Sequence, residues 1–368
     1  MKVLRNLFFV MFGILITACG GPGSDQVNAN KQDVDTSKVY RWKMVTTWPA
    51  NFPIFQESAD KFAEDVRVMS NGRMQIQVFA GGELVPALQT FDAVSQGSVE
   101  LGLGSPYYWA GKIPAAQFFS TVPFGMTARG MHAWVNHGGG LELWRELYKP
   151  FNVIPFPMGN SGVQMGGWFN KKIESLDDLK GLRMRIPGLG GKVLKMAGGN
   201  PVLMAGGEIY TALERGIIDA TEWVGPFHDM RLGLNRAAKY YYYPGWHEPG
   251  TEFELLVNMQ QWQQLPDDLK KIIETAASST SEWVYSAMEY YNSEALQELR
   301  TKPNIEILEF PDEVLKGLKG LTATMLEEEA AGNQDFKRVY ESYNAFRKQY
   351  ADWSELSEKS YQRSFVED

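Results

Sequence analysis

The chain has 368 residues, 44% of them hydrophobic and 13% aromatic, enough apolar material for more than one packed core. Acidic residues outnumber basic ones 44 to 36, a formal charge of −8, so the overall field repels nucleic acid and an anion must be captured by a few local cations. The lone cysteine excludes an intrachain disulfide framework and Cys-ligated metals, and the four histidines, with no HExxH spacing, argue against a histidine-based metalloenzyme.

In chain order, Lys2 and Arg5 precede the apolar run from Leu7 to Ile16, and the small residues Thr17-Ala18-Cys19-Gly20 follow. That is the layout of an export signal with its cleavage site, and it is too short for a transmembrane helix, which needs about 20 apolar residues. Ile16-Thr17-Ala18-Cys19 resembles a bacterial lipobox, which implies that residues 1–19 are a lipoprotein signal with a lipidated Cys19 tying the protein to a bacterial membrane on its periplasmic side. An ordinary signal peptide is the alternative. Residues 20–37, GGPGSDQVNANKQDVDTS, are too polar to bury surface and read as a flexible tether.

The folded part begins near Lys38. Tyr40 to Thr47 alternates as a strand, Phe55, Ala59, Phe62, Ala63 and Val66 recur at helical spacing, and Met74 to Phe79 alternates again. Strand, helix and strand make a βαβ unit of a parallel sheet. A further helix is expected from Leu84 to Ser95, then a short strand Glu100–Gly104 running into Ser105-Pro106-Tyr107-Tyr108-Trp109. Ligands of open α/β sheets bind beyond the carboxyl ends of strands, which places these aromatic residues in a candidate site, a packed aromatic cluster being the other reading.

A second α/β region starts with the apolar run from Asn152 to Pro157. It continues through the extended, glycine-rich stretch 161–169, a capped turn at Ser175–Leu179 and a strand Leu182–Pro187 with Arg183 and Arg185 on one face. Helices near 190–197 and 207–215 flank a strand-like 201–204, and Ile217 to Trp223 reads as another strand end. Tyr240–Tyr243 and Thr251–Val257 read as extended crossings between the two regions, which makes a hinge. A helix from Pro266 to about Arg300 is long enough to brace both, and the tail from Pro311 is helical. Its stripe of Tyr340, Tyr343, Phe346, Tyr350 and Trp353 must bury itself on its own domain or on a second subunit.

GNSGVQMGGWFN (159–170), SLDDLKGLRMRIPG (175–188), EIYTALERGIIDATEW (208–223) and LPDDLKKIIETAA (265–277), in this order, resemble the extracytoplasmic solute receptors of TRAP transporters. QMGGW, the TEW ending and the aromatic C-terminal helix look most like the branch that binds 2-oxo and 2-hydroxy monocarboxylates with a metal ion. The resemblance implies an α/β, two-domain periplasmic binding protein type with a hinge, a long bracing helix and a C-terminal helical tail. Domain I is expected at 38–160 plus 252–285, domain II at 161–251 plus 286–330, and C-terminal helices at 331–368 as a candidate homodimer contact. It implies a small organic acid as ligand and the membrane subunits of a TRAP permease as partners, without catalysis or nucleic acid.

The resemblance assigns the carboxylate to Arg185, whose planar fork gives two parallel hydrogen bonds; a structural ion pair is the competing role. Relatives that take larger acids carry a second arginine where this chain has Gln164, which points to a ligand with one carboxylate or to a cation in that arginine's place. Glu222 and Glu248 would repel a bound carboxylate unless a cation lay between, and oxygen ligands from Gln164, Glu222, Glu248 and the Trp223 carbonyl suit sodium or calcium. Trp223 and Tyr108 would wall the acid in. Two rival classes remain open from sequence, a secreted hydrolase using Glu222 with His228 or His247, and a solute-sensing lipoprotein of the same fold.

Overall fold

The computed structural model describes residues 38–365; Cys19 and the tether 20–37 lie outside the described residues. Two sheets organise the chain. The first contains β1 (Tyr40–Thr46), β2 (Met74–Phe79), β3 (Leu101–Gly104), β4 (Val153–Asn160) and, from far along the sequence, β10 (Glu252–Asn258), in the order β2-β1-β3-β10-β4. The second contains β5 (Gly167–Phe169), β6 (Arg183–Arg185), β7 (Asn200–Val202), β8 (Ala220–Thr221), β9 (Tyr240–Tyr243) and β11 (Glu306–Glu309), in the order β11-β9-β5-β8-β6-β7. In the first sheet β1 runs parallel to β2 and β3, while β10 is antiparallel to β3 and β4.

The expected βαβ unit is present. Helix Phe55–Met69 joins β1 to β2 and buries Phe55, Ala59, Phe62 and Val66 on one stripe, and the Glu57 carboxylate accepts the Ile54 N–H at 2.9 Å to close its first turn. Each of the larger of these side chains withdrawn from water, Phe55, Phe62 and Val66, is worth about 1.5–3 kcal/mol. Against the same core lies helix Asp267–Arg300, 34 residues and so about 50 Å long, through Leu269, Ile273, Ala276 and Ala277. Farther along, its Asn292 side chain accepts the backbone N–H of Phe227 at 3.1 Å, so one helix touches elements attached to both sheets. Acidic Asp267 and Asp268 in its first turn and Arg300 in its last complement the helix dipole.

Several elements differ from the sequence expectation. The helix expected from Leu84 shrinks to a 3-10 turn at Ala87–Gln89 and a helix at Thr90–Ser95, because Pro86 disfavours the helical conformation at Val85 before it and itself caps the turn in an extended conformation. Only Ala220 and Thr221 of the run 217–223 join a ladder, and Glu222 and Trp223 project past its end. Tyr240–Tyr243 and Thr251–Val257 are not themselves crossings: the former forms β9 in the second sheet, the latter supplies β10 in the first, and residues 244–251 make the passage. Arg183 and Arg185 part company, since Arg183 is exposed and forks onto Asp219 at 2.6 and 2.9 Å while Arg185 is buried.

The C-terminal part forms helices Asp312–Gly332, Gln334–Leu356 and Glu358–Phe365. The aromatic stripe divides. Phe336, Val339 and Tyr343 are buried against Phe118 and Trp134 of the same chain, and the Tyr343 hydroxyl accepts the Met126 N–H at 2.8 Å. Trp353 and Leu356 remain 65% and 80% exposed. Among the described residues, no helix is long and apolar enough to cross a membrane.

Candidate functional site

Three strands, β3 of the first sheet and the parallel pair β6 and β8 of the second, end in the same neighbourhood, and two connectors between the sheets run past them. Arg185 is the last residue of β6, Glu222 and Trp223 follow β8, and Tyr107 and Tyr108 sit on the 3-10 turn Pro106–Trp109 directly after β3. Gln164 lies on the passage from β4 to β5, and His247 and Glu248 on the passage from β9 to β10. The two passages are hydrogen-bonded to one another: the Gln164 N–H donates to the Glu248 carbonyl at 3.1 Å, and the Gly245 N–H donates to the Gln164 carbonyl at 2.9 Å. Gly245 must be glycine for this approach, since a Cβ would stand 2.3 Å from the Gln164 carbonyl oxygen.

Arg185 is 1% exposed. Its Nη1 donates to Glu222 Oε1, its Nε donates to the Met204 carbonyl at 3.4 Å, and the guanidinium lies over the Trp223 ring at 5.1 Å. Burial works most strongly against its charge, but the Glu222 carboxylate and, beside it, Tyr108, Tyr107 and Glu248 together outweigh that and hold the guanidinium firmly protonated. Trp223 packs close because the residue beneath its ring is Gly206, where a Cβ would come within 2.5 Å of the indole. The turn carrying Glu222 and Trp223 is pinned by the buried Asp229 carboxylate, which accepts the N–H groups of Val224 and Gly225 at 3.0 and 3.1 Å, Trp168 Nε1 at 3.0 Å and the Tyr241 hydroxyl at 2.8 Å.

On the connector side, Glu248 is buried and accepts the Thr251 hydroxyl, and the Gln164 amide donates to Ser161 and Thr251 hydroxyls at 3.1 and 3.3 Å. Burial, and then the nearby Glu222 charge, push the Glu248 carboxyl well above the usual carboxylate range. Tyr107 is raised by burial and Glu248; Tyr108 is raised by burial, opposed by the Arg185 charge its hydroxyl faces. The structure thus gathers Gln164, Arg185, Glu222, Trp223, Glu248 and Tyr108 into one place.

It also adds two residues that sequence reasoning left aside. Tyr107 was read only as part of an aromatic trio. His247 was weighed only as a hydrolase base, yet its Nε2 stands 3.5 Å from Glu222 Oε2. His228, the other histidine of that hydrolase reading, is tied by Nε2 to the Pro53 carbonyl at 3.0 Å and held neutral by burial, its pKa lowered to about 4, so it serves the core. Trp168 and Phe253 are core side chains.

Gln164 Oε1, Glu222 Oε2, Glu248 Oε1, Arg185 Nη2 and both His247 ring nitrogens are buried without a hydrogen-bond partner. Three inward carboxyl or amide oxygens that nothing in the protein satisfies fit a hard cation, and the free edge of the guanidinium fits a carboxylate beside it. A cleft of about 440 Å³, bounded by Thr47–Pro49 and Gly81–Gly82 on one side and Leu203–Glu208 on the other, reaches Met204, the residue whose carbonyl holds Arg185.

Comparison with known proteins identifies the family. Residues 44–332 match the model of bacterial extracellular solute-binding protein, family 7, called DctP. The chain is 44% identical over 361 residues to a monocarboxylate 2-oxoacid-binding periplasmic protein of Nostoc sp., covering 98% of this chain and 97% of that one. A solved TRAP periplasmic solute-binding protein from Colwellia psychrerythraea, with bound calcium and pyruvate, superposes with a TM-score of 0.87 at 43% identity, covering 89% of this chain and all of that one. Another from Pseudoalteromonas atlantica, with bound sodium and pyruvate, gives a TM-score of 0.87 at 41% identity, again covering 89% and 100%. The fold is therefore that of a two-domain periplasmic binding protein, and the chain belongs to the bacterial extracellular solute-binding proteins of family 7, receptors that serve transport.

Proposed function

We propose that this protein captures a small 2-oxo or 2-hydroxy monocarboxylate together with a calcium or sodium ion and delivers it to the membrane subunits of a TRAP permease. The observation that carries the reading is the buried pairing of Arg185, with one guanidinium edge free, and the unsatisfied oxygens of Gln164, Glu222 and Glu248. Relatives with calcium and pyruvate, or sodium and pyruvate, support the choice of ligand.

In this reading Arg185 Nη2 takes the acid's carboxylate, Gln164, Glu222, Glu248 and the Trp223 carbonyl hold the cation, and Trp223 with Tyr108 excludes water. The cation supplies positive charge between the acid's oxygens and the two carboxylates. No bond of the ligand is made or broken, which a turnover assay returning unchanged pyruvate would check. Gln164, a neutral residue, leaves one cationic side chain for one carboxylate and disfavours dicarboxylates.

The direct test is calorimetric titration of pyruvate in the presence of calcium. Arg185→Lys keeps a positive charge opposite Glu222 while losing the fork, so it should weaken pyruvate about 10- to 100-fold, the worth of one charge-assisted hydrogen bond. Unchanged affinity in that variant would remove Arg185 from the site. A lipid anchor on Cys19 belongs to the same proposal: Cys19→Ser should move the protein from the membrane fraction to the soluble one. So does a homodimer through residues 331–368, in which the exposed Trp353 and Leu356 would be covered; light scattering of the full chain reads this out.

A further inference from the structure

The two connectors that carry Gln164 and Glu248 join the first sheet side by side. Asn160 is the last residue of β4 and Glu252 the first of β10, and they stand opposite each other in the antiparallel ladder. Between this pair and the next, Pro157 with Glu254, β4 advances three residues and β10 two. The extra residue makes a bulge at Met158 and Gly159, with Gly159 at φ 139° where a Cβ would stand 2.9 Å from both Phe253 and Val284. A bulge re-aims the side chains beside it, and here it delivers Asn160 and Glu252 to one another.

Both side chains are fully buried, and Asn160 Nδ2 donates to Glu252 Oε2 at 2.9 Å. The other end of the amide is used as well: Asn160 Oδ1 accepts the Gly162 N–H at 2.9 Å and so sets the first turn of connector 161–166. Behind the pair, His132 Nε2 stands 3.3 Å from Glu252 Oε2, and the Ser120 carbonyl accepts the Glu252 N–H at 2.9 Å. The adjoining residues continue the linkage. Ser161 N–H donates to the Thr251 carbonyl at 2.9 Å, and Thr251 N–H donates to the Ser161 hydroxyl at 3.3 Å. Those two hydroxyls are the ones that accept the Gln164 amide, and the Thr251 hydroxyl donates to Glu248 Oε2. With these atoms engaged, Gln164 Oε1 and Glu248 Oε1 are left as the oxygens without partners.

We propose that Asn160 and Glu252 are positioning residues for ligand capture. Their hydrogen bond sets the two connectors in register before a ligand arrives, and Ser161 and Thr251 pass that register on to the Gln164 and Glu248 oxygens. The inference rests on the reading of Gln164 and Glu248 as donors to calcium or sodium and leaves that metal unchanged. The groups that orient a metal's ligands matter nearly as much as the ligands, and losing one weakens binding about 10- to 100-fold.

The test reverses the bond. Asn160→Asp keeps an acceptor for the Gly162 N–H but sets two carboxyl groups face to face. Adding Glu252→Gln restores one hydrogen bond with its direction exchanged, the amide now donating from the β10 side. Calorimetric titration of CaCl2 with pyruvate present, on the full chain, should show calcium weakened about 10- to 100-fold in Asn160→Asp and restored to within about 3-fold of wild type in Asn160→Asp/Glu252→Gln. A pair that served stability alone would move Tm and leave the affinity of the folded protein where it was. Calcium affinity within about 3-fold of wild type in folded Asn160→Asp, or a double variant that regains its Tm without its affinity, overturns the inference. Amide hydrogen exchange of the ligand-free wild type decides the matter even if both variants fold poorly: the Gly162 N–H should exchange as slowly as the amides of β4, and rapid exchange there overturns the inference. If the wild type binds calcium and pyruvate while these outcomes fail, the receptor reading stands without this inference; if it binds neither, both fall.

Discussion

Arg185 can remain charged in the interior only because Glu222 meets it there, and this reshapes what its removal does. Arg185→Ala would leave the Glu222 carboxylate buried beside Glu248 with no cation, a loss of about 3–5 kcal/mol for breaking a buried pair. A sharp fall in Tm is therefore expected in Arg185→Ala, and Arg185→Ala/Glu222→Gln should recover much of it while still failing to bind pyruvate; thermal melts with and without the acid separate the two effects. The positions of Arg185, Gln164, Glu222 and Trp223 were legible because they stand in stretches whose residues resemble a known family. The nearness of His247 was not, since one histidine next to one glutamate has no spacing that marks a site, and only folding brings Glu222 to its ring. The ion pair at Arg185 had been set against a binding role, whereas the guanidinium has edges enough for both.

At the scale of elements, β10 does more than complete a sheet. Its Glu254 carboxylate accepts Trp109 Nε1 and, at 3.2 Å, the Tyr148 hydroxyl, and so holds the turn that presents Tyr107 and Tyr108. Burial pushes this carboxyl from an ordinary 4.5 up to about 8. Between those values the folded chain keeps a proton that the unfolded chain has lost. The stability Glu254 contributes is thus whole below about pH 4.5 and drains away as pH rises towards 8, by up to about 1.4 kcal/mol per pH unit. Glu254→Gln, isosteric and uncharged, should flatten the decline of Tm between pH 5 and 8; an equally steep decline would acquit Glu254. Alternating strands such as β1 and β2 and the 34-residue helix were readable from period alone. The two-residue extent of β8 within the expected run 217–223 was not, because its ladder is decided by neighbours from elsewhere in the chain, and the insertion of β10 between β3 and β4 is equally non-local.

For the whole molecule, burial of every donor in the site means that an acid enters only when the two sheets' lobes separate about the connectors 161–166 and 244–251. Small-angle scattering should therefore give a smaller radius of gyration with calcium and pyruvate than without, and an unchanged radius would argue for entry by local breathing. The C-terminal helix Gln334–Leu356 is fastened to the rest by the Tyr343 hydroxyl. Tyr343→Phe strands the buried Met126 N–H and should cost about 1–3 kcal/mol in denaturant unfolding without altering pyruvate affinity.

The hydrogen bonds that stitch Gln164 to Gly245 and Glu248 carry a consequence for anyone wishing to retune this protein. In the proposed reading the segments that flex are also the segments that grasp, so a substitution there should alter speed of capture and strength of retention in one stroke. New ligand preferences are better sought in the walls, at Tyr107 or from Leu203 to Ala205, where a side chain can be exchanged while the moving joint is left intact.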